Sequence, residues 1–251
     1  MFGSHLSSSC GMHLAVCEAR KLGMQTLHVF TKNQQQWAVK PLERVAIDAW
    51  SSACRDAGFA QTVSHDSYLI NLASPDSALR EKSVNLFREE LARCEALSIP
   101  FLVTHPGAHM GVRDHPDDEE AGIARIALAL DGLLAHFPKG RTTVCLEITA
   151  GQGTSVGHRL EHLASIIAAM KSKKRMGVCR DTAHLFAAGY DFRARLYARL
   201  MSQIDQTIGL DRVKVWHLND SKKPLGSRVD RHEHIGLGTI GLDGFKPIVS
   251  D

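Results

Sequence analysis

The sequence predicts an α/β chain folded as a TIM (β/α)8-type barrel that stops before its eighth strand. Three observations predict it. Short β-type runs alternate with amphipathic helical stretches along the whole chain, a pattern that calls for parallel strand pairing. Residues of the kinds that hold zinc close most of those runs, each followed by a Gly-, Pro- or polar-rich loop. The length, 251 residues with 44% hydrophobic and 23% charged side chains, suits one such barrel around one core.

The strand series opens with Phe2 to His5 and continues with Gln25 to Phe30, Ala60 to His65, Phe101 to His105, Thr143 to Ile148, Met176 to Asp181 and Val213 to His217. Between them, Leu79, Val84, Leu86, Phe87, Leu91 and Leu97 recur at mostly helical spacing over Ser77 to Leu97, and Leu160 to Met170 carries a Leu-Ile-Ile stripe. Arg113 to Glu120, the longest polar segment, reads as a helix entry with acids placed near a positive helix N-terminus. Leu242 to Val249 begins a seventh helix, and no residues follow Asp251 to form an eighth strand. A seven-stranded barrel carries two unpaired edges. No linker, low-complexity tract or fixed repeat interrupts the pattern, so residues 1–251 are read as a single domain.

The net charge of +3 permits a nucleic-acid partner without requiring one. The six cysteines form no CxxC pair and fall mainly inside apolar patterns, which favours buried thiols and a reducing cytoplasm over disulfides. The N-terminus has no basic and apolar leader, and no stretch approaches the roughly 18 apolar residues of a membrane span. The expectation is a cytoplasmic protein that neither carries such a signal nor spans a membrane.

The chemistry lies at the strand ends. In Val178-Cys-Arg-Asp-Thr-Ala-His184 a carboxylate, Asp181, is followed three residues later by an imidazole, His184; alone, Asp181 reads equally as a helix cap. Val229-Asp-Arg-His232 offers Asp230 and His232 two residues apart, so both can reach one ion from an extended backbone. His217 ends a Val-rich strand, and Glu147 ends an apolar one, where a lone carboxylate is costly unless paired or metal-bound. His65 and His105 complete a run of five consecutive strands ending His, His, Glu, Asp, His. Mixed imidazole and carboxylate ligation suits Zn²⁺, with Mn²⁺ and Fe²⁺ as competitors.

Seven co-linear segments carry a resemblance: Thr31-Lys-Asn-Gln34, His65-Asp-Ser-Tyr-Leu-Ile-Asn-Leu72, His105-Pro-Gly107, Thr149-Ala-Gly-Gln-Gly153, Phe186-Ala-Ala-Gly-Tyr-Asp191, His217-Leu-Asn-Asp220 and Gly226-Ser-Arg-Val-Asp-Arg-His232. Together they resemble the endonuclease IV family of apurinic/apyrimidinic endonucleases, from Phe2 to the chain end. The resemblance implies a monomeric enzyme of base excision repair with three Zn²⁺ ions. It would cut double-stranded DNA 5′ to an abasic site and leave a 3′-hydroxyl. One zinc would take His65, His105 and Glu147, a second Glu147, Asp181 and His217, and the third His184, Asp230 and His232. Glu147, as the bridge, would be the central catalytic residue. DNA contacts would come from Lys32, Gln35, Tyr68, Arg228 and Arg231, with Lys222 and Lys223 also near phosphates, and Gln34 to Trp37 with Tyr68 would fill the gap left by an extruded abasic nucleotide.

Some positions depart from the family pattern. Ser7 to Gly11 replaces a loop of small residues and paired glycines, Gln35 stands where an arginine is usual, Ile148 where an asparagine follows the bridging glutamate, and Arg180 where an apolar residue precedes the metal aspartate. Because Arg180 alternates in direction with Asp181, it is expected to face the helices or solvent. The eighth strand's second glutamate for the Asp181–His217 zinc has no counterpart, leaving three protein ligands there. Two alternatives follow: a divalent-metal sugar isomerase or epimerase of the related barrel class, or a non-catalytic remnant that binds zinc or DNA.

Overall fold

The computed structural model describes residues 1–251 and gathers the seven expected strands into one parallel sheet in chain order. They are β1 (Gly3–His5), β2 (Thr26–Val29), β3 (Val63–His65), β4 (Phe101–Thr104), β5 (Thr143–Glu147), β6 (Met176–Asp181) and β7 (Val213–His217). The helices are α1 (Met12–Lys21), α2 (Arg44–Ala57), α3 (Ser77–Leu97), α4 (Pro116–Ala135), α5 (Leu160–Ala169), α6 (Thr182–Ala188), α7 (Leu196–Thr207) and α8 (Leu242–Ser250). Several strands are shorter than the apolar runs that announced them, since the outermost residues already turn into loops. No helix is long and apolar enough to cross a membrane.

The sheet is curled. The imidazoles of His28 on β2 and His217 on β7 stack with centroids 5.0 Å apart, whereas five strand spacings of about 4.8 Å would separate them by about 24 Å in a flat sheet. β1 and β7 do not pair, so the barrel is open between them.

Period-two alternation sorts the strand side chains into two environments. Val144, Leu146 and Val178 face outward into the large core under the helices, with Phe87 and Leu91 of α3, Ile126 and Leu130 of α4 and Ile166 of α5. Val103, Cys145, Cys179 and Val215 face inward and form a separate small apolar plug. One step further along each strand, that inward row becomes Glu147, Asp181 and His217, so the plug is the floor of whatever the rim residues bind. Trp50 of α2 donates its indole N–H to the Leu97 carbonyl at 3.0 Å, tying α2 to the end of α3. Asp76 caps α3 by accepting from the Ala78 and Leu79 amides.

Arg180, between two inward residues of β6, points into the helical layer as alternation requires. It is buried; its guanidinium stacks 3.6 Å from the Trp216 ring centroid, reaches Met201 Sδ at 3.0 Å and leaves Nε without a partner. Burial lowers its pKa to about 10, so it stays charged at neutral pH with no carboxylate bonded to it. A buried cation in this state carries a desolvation penalty that an apolar side chain of similar reach avoids. Arg180→Met is expected to unfold at a higher temperature than the parent, a gain of roughly 1–2 kcal/mol; a lower melting temperature would show that Arg180 has a stabilising partner.

Candidate metal centre at the strand ends

Parallel pairing in register brings the strand-end ligands to one rim. Asp181 lies opposite His217 and Glu147 opposite Cys179, while His65 ends β3 and His105 follows β4. Glu147 is buried at the centre of the group, and its two oxygens face different histidines. Oε2 lies 3.1 Å from His65 Nε2 and 3.4 Å from His105 Nε2. Oε1 lies 2.8 Å from His217 Nδ1 and 3.5 Å from His184 Nδ1. Burial works against its charge, yet His217, His105 and His184 hold the carboxyl well below the ordinary glutamate value, so it is an anion. Burial likewise opposes the charge of His65, but Asp66 and Glu147 hold its imidazole well above the usual range.

A second group stands beside it. His184 Nε2 and His232 Nε2 are 3.2 Å apart, and each is 3.2 Å from one oxygen of Asp230. Zinc–nitrogen and zinc–oxygen bonds of about 2.0–2.1 Å space tetrahedral donors about 3.3 Å apart, which is close to the separation of the two Nε2 atoms, while Asp230 turns a different oxygen to each ring, Oδ2 to His184 and Oδ1 to His232. Burial opposes ionisation of Asp230, but His184 and His232 draw it well below the ordinary carboxylate range. The Nδ1 atoms of His65 and His184 bond to the backbone carbonyls of Asp66 and Ile148, both at 2.9 Å. A carbonyl can only accept, so Nδ1 carries a proton in either charge state and Nε2 is the nitrogen left to face the site, where a bound cation would take the place of its proton.

Asp181 is placed differently from the expected grouping. Its Oδ1 accepts from the His184 amide at 2.9 Å and caps α6, and its Oδ2 accepts from Asn219 Nδ2 at 2.6 Å while lying 3.8 Å from His232 Nε2. It therefore clusters with His184 and His232, while Glu147 and His217 have Cys179 as their third close neighbour. The cap and ligand functions compete for the same short side chain. The loop bearing Asp230 and His232 is anchored by a two-stranded antiparallel ribbon of β8 (Asp220–Ser221) and β9 (His232–Glu233).

Two inward histidines are absent from the ligand set expected from the sequence. His5 and His28 pair in register on β1 and β2 and stack at 4.6 Å, extending the imidazole row beside His217. The Nε2 atoms of both His28 and His217 are buried without a partner. Burial and the neighbouring His217 keep His28 well below its ordinary pKa, and burial with His65 lowers His5 to about 4; both are neutral. Alternation is the signal that points to them, since His28 sits two residues before Phe30 in a single strand run and shares its inward direction.

The expected DNA contacts divide. Tyr68, 63% exposed, stands over the centre with its ring 5.5 Å from that of His65 and 6.2 Å from that of His105. Gln35 is exposed in a loop held by Asn33, whose Oδ1 accepts the Gln35 amide at 2.9 Å, and Arg231 is exposed. Lys32 and Arg228 are turned inward instead. The Lys32 side chain is 5% exposed and donates to the carbonyls of Asn33 and Gln36 at 2.7 and 2.6 Å, with Glu90 3.9 Å away. It braces the Gln35 loop from beneath. Arg228 donates to the Gly151 carbonyl and the Asp114 carboxylate. Trp37 is packed against the core with Lys82 over its ring at 5.1 Å, which removes it from the gap-filling loop tip.

Comparison with known proteins places the fold. The model of a xylose isomerase-like TIM barrel family matches residues 16–251. The chain is 47% identical to a probable endonuclease 4 of Chloroflexus aurantiacus, over all of this chain and 86% of that protein. It is 46% identical to a probable endonuclease 4 of Geobacter sulfurreducens, over 99% and 83%. The crystal structure of endonuclease IV from Thermus thermophilus superposes with a TM-score of 0.86 at 34% identity, covering 100% of this chain and 88% of that one. A D-tagatose 3-epimerase-like protein superposes with a TM-score of 0.71 at 17% identity, covering 99% and 87%, a likeness of fold alone. With identities of this size along its whole length, the chain belongs to the endonuclease IV family of the xylose isomerase-like TIM barrels.

Proposed function

We propose that this chain is a zinc-dependent apurinic/apyrimidinic endonuclease of DNA base excision repair, hydrolysing the phosphodiester 5′ to an abasic site and leaving a 3′-hydroxyl. The observation that carries this reading is the division of the Glu147 carboxylate, one oxygen toward His65 and His105 and the other toward His217. A buried carboxylate between two sets of imidazoles suits a bridge between two cations. His65, His105 and Glu147 would hold one zinc, Glu147 and His217 a second, which Asp181 would join by turning from its α6 cap, and His184, Asp230 and His232 a third. The donor set of imidazoles and carboxylates fits zinc. When bound, zinc would supply Lewis acidity for activating water and for neutralising charge on the phosphate.

The chain's own residues account for the rest. Glu147 holds imidazoles from β3, β7 and the loop after β4 together, and the Asp66 and Ile148 carbonyls fix which nitrogen of His65 and of His184 faces the site. Tyr68 offers an exposed ring beside His65 and His105 on which a sugar or base can rest. Gln35 and Arg231 stand on exposed loops around the same mouth, where they can meet the backbone of a bent duplex. An abasic nucleotide has already lost its pairing, so extruding it costs least, which gives selectivity without base readout.

Zinc-loaded protein is expected to nick a duplex carrying one tetrahydrofuran abasic analogue on its 5′ side, to lose that activity in chelator and to recover it when zinc is restored. An uncut duplex, under conditions where a relative such as the Thermus enzyme cuts, would refute the reading. Glu147→Gln is expected to lower nicking by more than about 100-fold and to reduce bound zinc by about two ions per chain. Asp230→Asn is expected to remove about one. Equal losses from the two variants, measured by elemental analysis of folded protein, would contradict the bridging role.

A further inference from the structure

Glu119 on α4, His158 just before α5 and His162 on α5 form another compact group of metal-ligating side chains, all three buried. It is not a vacant cation site. Arg159 lies 3.0 Å from Glu119 Oε2 and donates through Nε to His162 Nε2 at 2.9 Å, and an Arg228 nitrogen lies 3.2 Å from His158 Nε2. Two guanidinium groups already occupy the positions an ion would take. Burial lowers the pKa of both histidines, His162 to about 3, so neutral imidazoles here serve as acceptors for arginine.

Arg228 is the member of this network that reaches the metal centre. It lies two residues before Asp230 and four before His232, in a left-handed backbone conformation with φ of 53°. Its Nε donates to the Gly151 carbonyl at 3.0 Å, one Nη donates to Asp114 Oδ1 at 2.6 Å and the other contacts His158 Nε2 at 3.2 Å. Its amide donates to the Ala187 carbonyl at the end of α6 at 2.9 Å. Gln152, next to Gly151, accepts the Asp230 amide through Oε1 at 3.0 Å. A Cβ on Gly151 would lie 2.8 Å from Arg228 Nε and 2.8 Å from His158 Cβ, so the loop after β5 is shaped to receive this side chain.

We propose that Arg228 is a positioning residue that clamps the ligand arm Asp230–His232 against the loop after β5, setting Asp230 and His232 at bonding distance from His184 before any ion arrives. The clamp joins two loops that are 77 residues apart in sequence, and its planar fork matches acceptors on three sides in a way a lysine cannot. Preordering the arm removes the cost of organising it on metal binding. The consequence for zinc rests on the assignment of His184, Asp230 and His232 as one zinc site; the clamp itself does not.

Two readouts on Arg228→Ala and Arg228→Lys test it. In metal-free protein, amide hydrogen exchange at residues 228–232 is expected to speed up at least tenfold in both variants, with the amides of β1 to β7 unchanged. Zinc content is expected to fall by about one ion per chain, and the slope of DNA affinity against salt to stay the same. A phosphate-contacting Arg228 would instead lower that slope by about 1 with zinc retained. Unchanged exchange at 228–232, or that lowered slope with full zinc, overturns the proposal. Should both variants fail to fold, Gly151→Ala and Asp114→Asn disturb the same clamp without touching Arg228 and are read the same way. A parent protein lacking the third zinc would defeat the metal assignment, while the exchange comparison would still decide the clamp.

Discussion

One buried carboxylate organises this protein. Glu147 sits at the end of an apolar strand, above a plug of Val103, Cys145, Cys179 and Val215, where an unpaired charge would be untenable. Its oxygens are met by imidazoles from β3, β7, the loop after β4 and helix α6, so it can stay ionised only if the sheet curls enough to bring those strands to one rim. Fold and site are thus mutually dependent. The curl delivers the imidazoles, and the imidazoles make the charge at the curl's centre tolerable.

The same logic separates the two arginine-containing regions. Arg180 lies outside the barrel with stacking but no acid, a liability in the helical layer. Arg228 lies at the mouth with an acceptor for each arm of its guanidinium, and its backbone leads directly into two candidate ligands. A positive residue in a loop of a nucleic-acid enzyme invites assignment to phosphate contact. Here its donors are already engaged with protein, as are those of Lys32.

Much of this was legible in the sequence, for a definite reason. Strand-end ligands in a parallel sheet need only alternation and loop punctuation to be found, and His65, His105, Glu147 and His217 converge as that reasoning requires. The order β1 to β7 follows from helix-strand alternation. Less legible was what depends on side-chain competition between distant segments. Asp181 divides itself between capping α6 and facing His232, and spacing alone does not say which neighbour wins. Arg228 and Lys32 read as DNA contacts because their partners, the Gly151, Asn33 and Gln36 carbonyls with the Asp114 and His158 side chains, are backbone atoms or residues of distant segments that spacing does not connect. His5 and His28 stand apart from every motif, although both occupy inward positions of their strands.

The most direct measurement is the anomalous scattering of a zinc-grown crystal across the zinc absorption edge. Two peaks flanking the Glu147 carboxylate, one beside each oxygen, and a third between His184, Asp230 and His232 are expected. A single peak bound by both Glu147 oxygens, or none at that carboxylate, would contradict the bridge on which the proposed chemistry rests.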